Sequence, residues 1–364
     1  MARARDIAFI RKLCGLNVPA QALVQSLLPA LRVLIPSHSA GVFWVDAQGE
    51  MVSLYAERML PPEAMTRYYE RHYQTAREGF ASAFLHRALA PDPVSLHSFS
   101  KAEQQSEYFQ DVMRPLDAYH VMYGMLANGP EAFAQISFYR GRTDRGFGRD
   151  NADMLRGLLR YLAGGLARQL PATDGQDPSV VIEEHLGIVN ANGTILSAPE
   201  PWHRLLRLAA LSEVSPRNAR NEASIIEGFL RQICNDSTRQ NQQGEQWQLH
   251  RASPWGRFAL RAFLLPDARG RRAGQIGLLI RREESRSISL VRGTGLADLS
   301  PQQREVAVLL AQGKSNREIA QEMGLTFNTA SYHVKQVYAR LEVNDRNAVS
   351  GRLLALAQLA AAAV

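Results

Sequence analysis

Ala330, Val334, Val337 and Leu341 recur at i, i+4, i+7 and i+11, the spacing that gathers apolar side chains on one face of an α-helix. The opposite face carries Asn328, Ser331, Tyr332, Lys335 and Gln336, and no Asp or Glu occurs between Met323 and Leu341. A solvated helix face ordinarily mixes acids with bases for i, i+4 support. A face that is polar and basic without any acid predicts a polyanionic partner. Start and stop signals surround this stretch. Ser300-Pro301-Gln302-Gln303 is a capping box with proline at the first helical position, and Val306, Leu309 and Leu310 face inward until Gly313 ends that helix. Ser315-Asn316-Arg317-Glu318 is a second box, opening a short helix that buries Ile319, Ala320 and Met323. Gly324 supplies the turn, Leu325 plugs the core and Thr326 caps the helix that follows. Asn344 and Asp345 start a last helix through Val349, Leu353 and Leu354. Two short helices joined at a glycine turn, the second with a basic and polar outer face, predict a helix-turn-helix.

Upstream the period changes. Residues 40–57 alternate apolar and polar positions around Gln48-Gly49, the pattern of a β-hairpin, and helical segments follow through Tyr68, Tyr69, Tyr73 and Phe84. A second pair of strands over residues 121–141 turns at Asn128-Gly129-Pro130. Two amphipathic helices precede this unit, at 7–14 and 20–34, and one long helix at 147–170 ends it, interrupted by Gly164-Gly165. After a polar break at 171–179 the pattern repeats in smaller form. A hairpin at 187–197 turns at Asn192-Gly193, helices follow at 202–211 and 223–233, and strands at 247–252, 258–265 and 275–281. The glycine- and arginine-rich stretch 285–298 is expected to be a linker.

Composition narrows the class. The chain has 364 residues, 46% hydrophobic and 21% charged, enough for two or three globular domains. A formal net charge of +7 favours nucleic acid or another anionic surface. Asp6, Arg11 and Lys12 break any signal-peptide core near the first residue, and no run of about 18 apolar residues exists to span a membrane. A cytoplasmic protein with no membrane association is the expectation. Cys14 and Cys234 form neither a disulfide framework nor a zinc pattern. No catalytic elbow, metal cluster or nucleotide loop is present. Gly313-Lys314-Ser315 ends like a P-loop, but the required first glycine is Val308. No cofactor and no enzymatic activity are expected.

Over residues 298 to 355 the chain resembles the LuxR-type (GerE-type) four-helix DNA-binding domain. The resemblance is carried by Leu299-Ser300-Pro301 with Glu305, by Gly313 to Ala320, by Thr329 with His333, and by Leu341-Glu342-Val343 with Arg346. Ala330 stands where that family usually has valine, and Ser331 and Tyr332 replace a frequently basic surface. The resemblance implies double-stranded DNA as partner, and its roles agree with the helical wheel. Ser331, Tyr332, Lys335 and Gln336 are the candidates for base-edge or groove contacts. Lys314, Asn316, Asn328 and Thr329, at helix N-termini, are candidates for holding phosphate. His333 lies on the flank. Val349 and Leu353 are candidates for pairing two protomers, as in that family, and an activator of this kind would also meet RNA polymerase.

The two upstream units resemble sensor domains by layout, the first GAF-like and the second PAS-like. They match neither a phospho-acceptor receiver, for want of its early acidic pair and later lysine, nor the acyl-homoserine-lactone sensor of related LuxR proteins, whose pocket pattern is not reproduced. The fold class expected is multidomain α+β: a GAF-like domain over 1–172, a PAS-like domain over 178–285, a linker at 286–297 and the helix-turn-helix domain over 298–364. Tyr55, Tyr69, Tyr73, His120 and Tyr123 are the candidate walls of an effector pocket between the first sheet and its helices. An aromatic stripe also suits a core or a dimer surface. Two readings of the same output therefore stand: a homodimeric regulator that binds a (pseudo)palindromic operator under control of a small-molecule signal, or one whose sensor-like units serve only dimerisation and protein contacts.

Overall fold

Two antiparallel sheets of identical strand order, followed by a cluster of helices, make up the protein. The structure is a computed structural model and describes residues 2–16, 18–60, 62–73, 80–129, 131–167, 179–212, 214–215, 219–242, 247–253, 255–266 and 272–362. The first unit runs α1 (Ala2–Gly15), α2 (Ala20–Leu34), β1 (Ser39–Val45), β2 (Met51–Ala56), α3 (Pro62–Tyr68), a π-helical turn at Tyr69–Tyr73, α4 (Phe80–Ala88), β3 (Val94–Ser98), a second π-helical turn at Phe109–Met113, β4 (His120–Asn128), β5 (Glu131–Arg140) and α5 (Arg149–Leu166). Its sheet has the order β2-β1-β5-β4-β3. The second unit runs β6 (Ser179–Asn190), β7 (Ile195–Ser197), α6 (Glu200–Ala210), α7 (Ala219–Gln242), β8 (Gln248–Ser253), β9 (Gly256–Pro266) and β10 (Arg272–Ser285), in the order β7-β6-β10-β9-β8. Strand for strand, both sheets read second, first, fifth, fourth, third. The repetition expected from the alternating patterns is thus topological.

Both expected hairpins of the first sheet form, with β1 pairing β2 and β4 pairing β5. β3 was not expected: of its five residues only Val94 is buried, and at the sheet edge the run is too short to stand out. α5 spans about 27 Å at 1.5 Å per residue and passes through Gly164-Gly165 without a break. The reason is close approach: a Cβ on Gly165 would lie 3.0 Å from the Cα of Cys14 in α1. Residues 168–170 of the expected helix, and all of the polar break but Ser179, lie outside the described residues. In the second sheet β6 begins well before the expected hairpin and β10 runs on to Ser285, and the two pair along their length.

The two sheet units share one core. Gln25 donates through Nε2 to the Trp255 carbonyl at 2.6 Å, the Leu54 amide donates to the Val214 carbonyl at 2.8 Å, and the Tyr55 and Trp255 rings lie 6.0 Å apart. Arg207 pairs with Glu222 at 2.6 Å, both side chains nearly out of solvent, and its Nη1 lies 3.4 Å from the Leu60 carbonyl.

The expected linker is instead a helix, α8 (Arg286–Leu296), N-capped by Ser285, whose hydroxyl accepts from the Ser287 amide. Its glycines are contact sites. A Cβ on Gly293 would overlap the Leu353 carbonyl, and one on Gly295 would lie 3.1 Å from the Phe9 ring. Four helices follow: α9 (Pro301–Ala311), α10 (Asn316–Glu322), α11 (Phe327–Leu341) and α12 (Arg346–Ala362). They surround a core of Val306, Leu310, Ile319, Val334, Val337 and Leu353, to which α8 adds Leu290.

Candidate nucleic-acid interface and ligand cavity

Both capping boxes form. Ser300 Oγ accepts from the Gln303 amide while Gln303 Oε1 accepts from the Ser300 amide, and Ser315 and Glu318 repeat the exchange. The hydrogen bonds from Ser315 hold the Glu318 carboxyl below its usual range. Gly324, at φ 64°, makes the turn between α10 and α11, a conformation that costs glycine little. Thr326 caps α11 by accepting from the Thr329 amide at 3.2 Å.

The apolar stripe of α11 is buried as its spacing requires, at Ala330, Val334, Val337 and Leu341. Outward stand Asn328, Thr329, Tyr332 and Lys335, all exposed, with Ser331 and Gln336 half-buried beside them. Among the described residues Lys335 has no ion-pair partner. Lys314 has one, Glu322 at 3.6 Å. Asn316 is tied inward: it donates to Ser331 Oγ at 3.3 Å and accepts from Arg346 at 3.1 Å, linking α10, α11 and the start of α12. Phe327, 55% exposed in the first turn of α11, belongs to the same surface and escaped the wheel, because an exposed aromatic there looks like a core residue in sequence. Val349 and Leu353 are fully buried within the chain, in the core that α12 shares with α8, so in this arrangement neither is available to a second protomer.

The first unit encloses a cavity of about 670 Å³ between its sheet and α3, α4 and the two π-helical turns. Phe43, Leu54, Met65, Val112 and Met113 give it apolar walls, and Tyr68, Tyr108, Tyr123 and Tyr139 bring hydroxyls to it. Burial pushes all four phenols above their usual range, so they are neutral O–H groups. Arg87 enters from α4. Its Nε donates to Gln135 Oε1 at 2.8 Å, and its guanidinium carbon lies 4.6 Å from the centre of the Tyr123 ring.

Of the five residues expected to wall such a pocket, Tyr123 does so. Tyr55 turns to the other side of the sheet, against Trp255 and Arg204. Tyr73 closes the β1–β2 turn, donating to Glu50 Oε2 at 2.7 Å and accepting from the Met51 amide at 2.6 Å, with Tyr69 stacked on it. His120 sits at the end of β4, 2.8 Å from Ser98 Oγ. The residues that replace them come from distant parts of the chain: Tyr68 from α3, Arg87 from α4, Tyr108 from the segment just before the second π-helical turn, and Gln135 with Tyr139 from β5. Among the described residues no group of three or more His, Cys, Asp and Glu could hold a metal, and no helix is long and apolar enough to cross a membrane.

Residues 297–350 match the model of the bacterial regulatory proteins of the luxR family. The C-terminal helices are therefore a LuxR-type (GerE) helix-turn-helix domain. Among the relatives that share it, YhjB of Escherichia coli (strain K12), whose name describes an HTH-type transcriptional regulator, is 41% identical over 51 residues, 14% of this chain and 26% of YhjB. The transcriptional regulatory protein LiaR of Bacillus subtilis (strain 168) is 35% identical over 48 residues, 13% of this chain and 23% of LiaR. The chain thus spans about a quarter of the length of these curated relatives. Among solved structures, the GAF domain/HD domain protein from Geobacter sulfurreducens is 12% identical, covering 42% of this chain and 95% of that one, with a TM-score of 0.31. The strand order, rather than that likeness, defines the two sheet units.

Proposed function

We propose that the protein is a transcription regulator that binds a (pseudo)palindromic operator as a homodimer, and that a small molecule in the cavity of the first unit controls this binding. The observation that carries the DNA-binding part is the outward face of α11: Tyr332 and Lys335 exposed, no acid on that helix, inside a segment that matches the luxR regulatory family. Side chains on such a face reach base edges in the major groove, while helix N-termini and lysines hold phosphate. A dimer places two such helices about one turn of DNA apart. The cavity supports control by a ligand over a purely structural role for the first unit, because a concave site of about 670 Å³ with apolar and aromatic walls and a few polar groups has the form of a small-molecule site.

Selection of genomic fragments by the purified full-length protein tests this reading. Enrichment of one motif with two-fold symmetry, bound by two chains as weighed by native mass spectrometry, is the expected result. Retention of fragments without a common motif would overturn it.

A further inference from the structure

The chemistry lining the cavity narrows the ligand further, on the reading above that the first unit takes a small molecule. Arg87 is its decisive group. The Nε bond to Gln135 holds the guanidinium from behind, and Gln135, 2% exposed, is itself anchored by donating to Ser137 Oγ at 3.0 Å. That arrangement leaves the two Nη groups, the half of a guanidinium that meets a carboxylate in a paired fashion, for the cavity. Among the described residues no Asp or Glu lines the cavity, and Arg87 has no ion-pair partner. A half-buried cation without an anion is costly, and a bound anion removes that cost.

The remaining walls exclude other classes. Among the described residues the hydroxyls of Tyr68, Tyr108 and Tyr123 have no hydrogen-bond partner, so the cavity offers neutral donors around a single inner cation. A phosphate or polyphosphate would call for several cations or a cradle of backbone amides. Here Arg58 and Arg71 stand exposed at the rim, and Arg71 already faces Asp111 at 3.8 Å. Methionine and aromatic walls favour a flat, polarisable body.

We propose that the cavity binds an aromatic monocarboxylate, its carboxylate on the Nη groups of Arg87 and its ring between the tyrosine and methionine walls. The test uses the full-length protein and two probes of the same shape, naphthalene-2-carboxylate and its neutral amide, in calorimetric titrations. The wild type should bind the carboxylate at least tenfold more tightly than the amide. Arg87→Gln should bring the ratio to about one while leaving amide affinity in place, and Arg87→Lys, which keeps a charge but not the paired geometry, should fall between. The Lys variant also keeps the comparison open if Gln impairs folding. Equal or tighter binding of the amide, or a preference that survives in Arg87→Gln, overturns the ligand class and leaves a ligand cavity standing. Binding of neither probe by folded protein overturns both.

Discussion

Lys335 and Tyr332 are three residues apart on the same exposed face of α11, yet they should fail differently when removed. A lysine with no acidic partner that meets phosphate contributes equally on every sequence, so Lys335→Ala should weaken binding to operator and random DNA alike and flatten the salt dependence by about one unit. Tyr332→Ala should instead shift preference among operator variants. Affinities at four salt concentrations, on operator and scrambled duplexes, separate the two; parallel losses on both duplexes for both variants would sink the division of roles. Asn316 belongs to a third category. Its side chain spends its hydrogen bonds on Ser331 and Arg346, so Asn316→Ala should cost about 1 kcal/mol of stability, the worth of a typical internal hydrogen bond, visible in urea denaturation without DNA. In the second unit burial pushes the Cys234 thiol up to about 11, from an ordinary 9.0. The folded form therefore keeps its proton where the unfolded chain has lost it. That contribution is complete below about pH 9 and is lost as pH rises towards 11. The stability difference between wild type and Cys234→Ala should accordingly shrink between pH 8 and pH 10.5, and a constant difference would contradict it.

At the scale of elements, α8 is the piece that sequence patterns misjudge. Gly293 and Gly295 look like breakers, but they are where α8 comes against Leu353 of α12 and Phe9 of α1. Gly293→Ala, a change that favours an isolated helix, should here cost about 1–3 kcal/mol by overpacking, with faster amide exchange in α12. An unchanged melting temperature would mean that α8 and α12 do not pack as closely in solution. The helices of the DNA-binding domain were legible because their caps, turn glycine and apolar stripes are local: Ser300 with Gln303, Ser315 with Glu318, and the four buried positions of α11 all lie within a few turns of one another. The hairpins were legible from alternation for the same reason. The cavity was not, because Tyr68, Arg87, Tyr108, Gln135 and Tyr139 meet only once α3, α4, the second π-helical turn and β5 have packed.

Across the whole molecule, buried charges join the two sheet units to the C-terminal helices. The Glu284 carboxylate, at the end of β10, accepts from Ser26 of α2 at 2.6 Å and from Ser289 of α8 at 2.9 Å, and pairs with Arg292 of α8. Further along α1, burial pulls the Lys12 ammonium below its usual range against the pull of Glu305 of α9 and Glu322 of α10, and α1 packs on α8. Helices α1 and α2, which also pack on α5 of the first unit, thereby bear on the orientation of the DNA-binding domain. Glu284→Ala leaves Arg292 without its anion, and loss of one partner of a buried pair typically costs about 3–5 kcal/mol. The loss should be felt as faster amide exchange in α2, α8 and α12 together, with β4 and β5 still protected; an effect confined to β10 would mean that the carboxylate serves only its own strand. If that junction transmits occupancy of the cavity, coupling must run both ways, because a ligand that alters operator affinity has its own affinity altered by the same factor. Operator DNA added to the full-length protein should therefore change the affinity for naphthalene-2-carboxylate, and Glu284→Ala should diminish that change more than it alters ligand binding in the absence of DNA. An affinity that operator DNA leaves untouched would separate the cavity from the DNA-binding domain and restrict the first unit to a different role.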